Sequence, residues 1–247
     1  MIKKLITISL SSCSIISFTQ AATPYIGTGF SWDHLSGKRS ESLKNEAGHT
    51  VTFSERKSLS SNKMNGYLFA GIVYNSKNTL FFIAPEFQIG QGAISSNLDK
   101  NVPDQDYQVG GNPLLRNPNP KLSRNMNVSL VAKIGANIQE NYSIYGIVGV
   151  DASHFRYTYT YQDIDYNNNV ISGTQKFKKE KWMLAPVFGA GIGKKFDKVG
   201  VSLEYRIAPY NAIKMSRTIT TNISEESVLT KVKPITSTVM IKFSYFF

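Results

Sequence analysis

A period of two governs this chain. In residues 24–35, Ile26, Phe30 and Trp32 share one face of an extended strand, and Gly27, Gly29 and Ser31 share the other. Residues 64–74 read as a second strand. Residues 79–92 set Phe81, Ile83, Pro85, Phe87 and Ile89 against Ala84, Glu86, Gln88 and Gly90, and 125–136 set Met126, Val128, Leu130, Ala132 and Ile134 against Ser129, Lys133 and Gly135. The stretch 143–157 is a fifth strand whose facing stays open, because both of its sets are mostly apolar or small. Residues 181–194 place Leu184, Pro186, Phe188, Ala190 and Ile192 opposite Gly189, Gly191 and Gly193. Residues 200–211 place Val201, Leu203, Tyr205 and Ile207 opposite Ser202, Glu204 and Arg206. The last strand, 232–247, carries Val239, Ile241, Phe243, Tyr245 and Phe247 on one face and Thr238, Lys242 and Ser244 on the other.

The connections between these eight strands alternate in length. Residues 36–63, 93–124, 158–180 and 212–231 read as long polar loops without period, whereas 75–78, 137–142 and 195–199 read as short turns. Strands joined by a few residues are antiparallel neighbours. Loops of some thirty residues would count against the flanking strands in a compact soluble domain. On one rim of a barrel they are ordinary. An edge strand as apolar as 239–247 would recruit other chains unless the sheet closed on itself, and a closed sheet can give its apolar face to lipid. The expected fold is therefore all-β: an eight-stranded antiparallel up-and-down transmembrane β-barrel with long extracellular loops and short periplasmic turns.

Several residues carry a resemblance to a known family. The final strand, closing on a C-terminal Phe247 after Ile241, Phe243 and Tyr245, looks like the assembly signal of bacterial outer-membrane barrels. The run Phe188-Gly189-Ala190-Gly191-Ile192-Gly193 and the strand Leu203-Glu204-Tyr205-Arg206 share the strand grammar of eight-stranded OmpA-type and opacity-type surface proteins. The resemblance is to an architecture. It implies a bacterial outer-membrane location with loops at the cell surface, work in adhesion, immune exposure or envelope stabilisation, no catalysis and no cofactor. It implies recognition of Ile241, Phe243, Tyr245 and Phe247 by the barrel-assembly machinery. Full-length OmpA-type proteins carry a peptidoglycan-binding domain after the barrel; a barrel-only member is expected here.

Composition adds a leader and a charge. Lys3 and Lys4, the apolar 5–18 and small residues at Thr19-Gln20-Ala21 read as a signal peptide, 1–21, ahead of a barrel domain, 22–247. A competing reading takes Leu10-Ser11-Ser12-Cys13 as a lipoprotein box, but the apolar core before Cys13 is short and Ile15, Ile16 and Phe18 continue it. With the leader removed the chain has no cysteine, so no disulfide staples it. The formal charge of +11 loses Lys3 and Lys4 and becomes +9. No nucleic-acid-binding motif accompanies that charge. Lipid phosphates, lipopolysaccharide included, are the expected counter-charge for the lysines and arginines of the long loops, with a merely solvated surface as the alternative. No stretch after residue 21 approaches the ~18 apolar residues of a membrane helix.

Five charged residues, Glu86, Lys133, Glu204, Arg206 and Lys242, fall on expected inward faces. Buried charges persist only when paired, so they are expected to form an ion-pair network filling the lumen. The alternative is a narrow gated ion path. His34 and Ser36 share a strand-end face, with Glu46 later, and resemble the Ser, His and acid of the few eight-stranded barrels that are lipid A esterases, although that signature lies late in those chains. The resemblance implies the alternative of a lipid A-modifying enzyme, and Ser153-His154 is a weaker pair. Asp163, Asp165, Asn167 and Asn169 echo a calcium loop, but Thr174 stands where a bidentate Glu belongs. Three scattered histidines offer no zinc site. Tyr142, Tyr145, Tyr157, Tyr159, Tyr161 and Tyr245 are expected in interfacial girdles, and Tyr166 is the candidate adhesive tyrosine. The expected protein is a monomeric surface barrel, and a host-cell or matrix receptor would meet its loops.

Overall fold

The computed structural model describes residues 22–44, 50–76, 80–97, 107–109, 112–139, 141–165, 170–220 and 225–247. The expected signal peptide, Cys13, Glu46 and Tyr166 lie outside them. The strands are β1 (Thr23–Lys44), β2 (Thr50–Asn75), β3 (Phe81–Asn97), β4 (Tyr107–Val109), β5 (Asn112–Gln139), β6 (Tyr142–Asp165), β7 (Val170–Phe196), β8 (Val199–Pro209), β9 (Ile213–Thr220) and β10 (Glu225–Phe246). Eight of them, β1, β2, β3, β5, β6, β7, β8 and β10, pair in that order, each antiparallel to the next. The ring closes where β10 returns to β1, in register from Tyr25 with Phe246 to Lys44 with Ser227. The fold is an eight-stranded antiparallel up-and-down barrel. Closure gives the apolar last strand a partner on both sides, so it presents no free edge.

Both ends of the ring are legible from the register. Turns after β2, β5 and β7 are short and share one end with Thr23 and Phe246. At the other end the structure corrects the sequence reading. Much of 36–63, 93–124, 158–180 and 212–231, expected as irregular loop, is strand: β1 and β2 run on to Lys44 and from Thr50, and β6 and β7 to Asp165 and from Val170. At their base these ribbons still bury Ile94, Leu122, Tyr157, Ile213 and Met215 inward, and the ladder continues past the outward apolar alternation because an antiparallel ribbon can expose its other face to water. Short β4 pairs with β5 inside the second of these excursions.

Among the described strands the wall is interrupted between β2 and β3, whose pairing ends at Gly66 with Gln91 although both strands run on, and between β7 and β8. Pairing of β7 with β8 runs from Phe196 with Val199 to Phe188 with Ile207 and stops. Two residues further on, Pro186 would face Pro209. Neither proline has an N–H to donate, so the ladder ends there. Beyond a break at Tyr210, β9 resumes the line of β8 and pairs only with β10.

Among the described side chains, parity of burial fixes the facing of the strands. The apolar sets read from 24–35, 79–92, 125–136, 181–194, 200–211 and 232–247 point outward, and the small or polar sets point inward. The open case resolves with Ile144, Val148 and Val150 outside and Tyr145, Ile147, Asp151, Ser153, Phe155 and Tyr157 inside. The outward residues form a belt around the ring. On β7 it reaches from Trp182 to Ile192, ten residues, or roughly 33 Å along the strand. A strand tilt of about 40° turns that into a belt roughly 25 Å tall.

Inward glycines make room for aromatic rings. A Cβ on Gly191 would lie 2.6 Å from the Tyr145 ring, and one on Gly27 would lie 2.3 Å from the Phe69 ring. Gly191→Val is therefore expected to destabilise the barrel by about 1–3 kcal/mol through overpacking. Gly66, with nothing near its absent side chain, is the control position: its alanine variant should keep the wild-type urea midpoint. Equal midpoints for both variants would show that the rings are free to move aside.

Candidate functional site: the charged lumen

β3 contributes Glu86, β5 Lys133, β8 Glu204 and Arg206, and β10 Lys242, each from an inward position. The structure brings all five into one contact set. Lys133 Nζ lies 2.7 Å from Glu86 Oε2 and 2.8 Å from Glu204 Oε1. Lys242 Nζ pairs with Glu86 and lies 3.6 Å from Glu204 Oε1. Arg206 pairs with Glu204 and reaches Glu86 Oε1 at 3.5 Å. Tyr25 donates its hydroxyl to Glu86 at 3.0 Å, Tyr145 donates to Glu204 at 2.9 Å, and Gln88 bridges Arg206 to Glu86. Lys242 Nζ also sits 3.8 Å from the centre of the Phe69 ring. Each carboxylate thus meets several cations and one tyrosine hydroxyl, which is the condition for keeping charge out of water.

Towards the projecting hairpins lie two further polar groups. Arg124 Nη2 pairs with Asp33 Oδ2 at 2.6 Å, and Asp33 also accepts from Thr238 at 2.7 Å and from Asn65. Asp151 accepts from Asn127 at 3.1 Å, from Ser129 at 2.6 Å, from Ser153 at 2.5 Å and from the Tyr210 hydroxyl. Sequence reading missed Asp33, Arg124 and Asp151. Asp33 shares the parity of Gly29 and Ser31 and could have been found; Arg124 lay in an expected loop and Asp151 on the strand of open facing. Among the described buried residues, four cations (Arg124, Lys133, Arg206, Lys242) stand against four carboxylates (Asp33, Glu86, Asp151, Glu204).

Above these layers Leu35, Ile94, Leu122, Phe155, Tyr157 and Met183 turn inward and pack into an apolar plug. Below, a vestibule of about 410 Å³ opens at the short-turn end and reaches Lys133 and Tyr145. Beside Arg124 and Asp151 a void of about 30 Å³ remains, room for one or two waters. Among the described residues, buried charged, polar and apolar side chains occupy the lumen from the vestibule to the plug, apart from that void.

The remaining sequence candidates assemble no site among the described residues. His34 and Ser36 point outward: His34 Nδ1 meets Asn62 Oδ1 at 2.6 Å, and Ser36 donates to the Ile235 carbonyl at 3.5 Å. Ser153 is inside with Asp151, while His154 lies outside against Trp182 with ring centres 5.4 Å apart. The side chains of 163–174, where the calcium echo falls, lie outside the described residues, as do those of Tyr159 and Tyr161. Among the described residues no cluster of His, Cys, Asp and Glu could hold a metal ion. Tyr145 and Tyr157 are corrected from girdle to lumen: both are buried inside, Tyr145 bonded to Glu204. Tyr142 and Tyr245 do face outward. Ile241, Phe243, Tyr245 and Phe247 form an outward row on the last strand, and the Tyr245 and Phe247 rings meet edge to face at 5.3 Å. Outside the belt, a hydrogen bond from Lys178 and another from Arg156 hold the exposed Glu180 carboxyl below its usual pKa.

No family model matches the chain, and no curated protein matches it in sequence. Solved structures of similar shape include the outer membrane protein OprG of Pseudomonas aeruginosa, at 17% identity and a TM-score of 0.45, covering 92% of this chain and 96% of that one. The outer membrane protease OmpT of Escherichia coli aligns at 10% identity and a TM-score of 0.43, over 91% and 97% of the two chains. Ail, the attachment invasion locus protein of Yersinia pestis, aligns at 12% identity and a TM-score of 0.33, over 89% and 99%.

Proposed function

We propose that the protein is an integral outer-membrane barrel that works through its projecting hairpins at the cell surface, as an adhesin or an envelope-stabilising element. Carrying the reading is the contrast between a lumen filled with matched charges and an apolar plug, and hairpins that extend far past the belt. On β7 the ladder continues twelve residues beyond Trp182, to Val170, or roughly 40 Å of strand. A filled eight-stranded lumen favours a wall over a pore. An apolar belt of this height is stable when lipid covers it and an aggregation surface when water does. The row Ile241, Phe243, Tyr245 and Phe247 serves barrel assembly.

Protease treatment of intact cells, with fragment mapping, tests the topology. Cuts are expected within 36–63, 93–124, 158–180 and 212–231, and clipped cells should lose binding to host cells or matrix. Cuts at 75–78, 137–142 or 195–199 from outside would reverse the orientation. Full binding after clipping would remove adhesion.

A further inference from the structure

We propose that Lys38, Lys214, Lys231 and Lys233 form a binding site for the phosphates of an outer-leaflet glycolipid. This rests on the membrane reading above and names one partner of the same surface. Lys38 on β1 stands directly opposite Lys233 on β10, and Lys231 on β10 directly opposite Lys214 on β9. Lys231 and Lys233 are two residues apart, so the two pairs share a face and touch diagonally. All four are exposed, while their neighbours Gly37, Val232, Pro234, Ile213 and Met215 turn inward. From an inward-parity position on β7, Lys179 Nζ donates to the Lys214 carbonyl at 2.7 Å and ties β9 to its neighbour across the gap in the wall.

Like charges directly opposite across an antiparallel pair repel. Here two such pairs adjoin, and no described carboxylate answers them: Glu180, the nearby acid on β7, is held by Arg156 and Lys178. Such a patch calls for an anion from outside the chain. Height selects which anion. Lys233 is two residues beyond Ile235, an exposed member of the belt, and Lys231 four beyond it. That is roughly 7 and 13 Å along the strand, or about 5 and 10 Å of height at a tilt of about 40°, which sets Lys233 within the headgroup layer of ~5–7 Å and Lys231 at its outer margin. Lysine stems can lie along the wall and place their ammonium groups at phosphates. A soluble polyanion would be met further out, on the hairpins.

The test presents the purified protein, in neutral detergent, with equal amounts of diphosphorylated lipid A and phosphatidylethanolamine, and counts retained lipid by native mass spectrometry. Wild type should prefer lipid A at least tenfold. The triple variant Lys38→Gln, Lys231→Gln, Lys233→Gln should lose that preference by at least tenfold, since each lysine near an anionic surface contributes a factor of about five. Triple Lys→Arg should retain it, and Lys121→Gln, outward on β5, should leave it unchanged. If the triple glutamine variant does not fold, the single variants carry the same comparison with about fivefold losses. Equal retention by the glutamine variants, equal binding of dephosphorylated lipid A, or displacement by a sulfated oligosaccharide at equal phosphate and sulfate would overturn the site. If the protein failed to enter neutral phosphatidylcholine bilayers at all, the membrane reading would fall together with it. Entry into those bilayers with undiminished lipid A binding by the variants sinks the site alone.

Discussion

Glu204→Ala should destabilise the folded barrel by about 3–5 kcal/mol, the cost of leaving buried cations without their partner. Glu204 answers Lys133 at 2.8 Å, Arg206, and Lys242 at 3.6 Å. Its removal leaves three cations facing Glu86 alone in that layer and frees the Tyr145 hydroxyl. Urea unfolding in phospholipid vesicles, followed by the heat-dependent mobility of the folded form, reads the loss. Adding Arg206→Met restores the original excess of one cation over carboxylate. The double variant should therefore be more stable than Glu204→Ala, which a double-mutant cycle detects as coupling. A single variant within about 0.5 kcal/mol of wild type would make the network an ornament of the lumen.

The second large effect lies on the opposite face. Leu130 is 60% exposed, and on the outward row of β5 it stands between Phe87 of β3 and Val150 of β6, near mid-belt. In water such a leucine contributes little, and Leu130→Arg would be close to neutral or raise solubility. Inside hydrocarbon the same change costs about 2–4 kcal/mol at the midplane and falls towards the rims. Arginine substitutions at Leu130, Val128 and Met126 should therefore show a graded cost in vesicles, largest at Leu130. A flat series would mean that this face does not lie in a bilayer.

The sequence rendered the facing of six strands because one side meets apolar surroundings and the other a crowded interior of glycine and paired charge. That contrast is written residue by residue, as in Phe188-Gly189-Ala190-Gly191. It failed for 143–157 because inward Ile147, Phe155 and Tyr157 belong to the aromatic and apolar filling of the lumen. Both faces of that strand meet apolar partners, and alternation carries no sign. It failed again above the belt. There 36–44 and 50–63 keep their ladder pairing although their residue types look like loop. The five-residue charge set was accessible through parity, as Asp33 was, whereas the separate groups around Arg124 and Asp151 needed contacts between strands apart in sequence. The quartet of lysines was invisible for the same reason: Lys38 and Lys233 are neighbours only because the ring closes.

Oxygen and a water-soluble nickel chelate, used as collision partners for spin labels, test the central claim most directly. Labels placed singly at Leu130, Ile192 and Ile241, in protein reconstituted into liposomes, should collide readily with oxygen and hardly at all with the chelate. Preference for the chelate at these three positions, with the barrel still folded, would show that the belt faces water and would contradict the account.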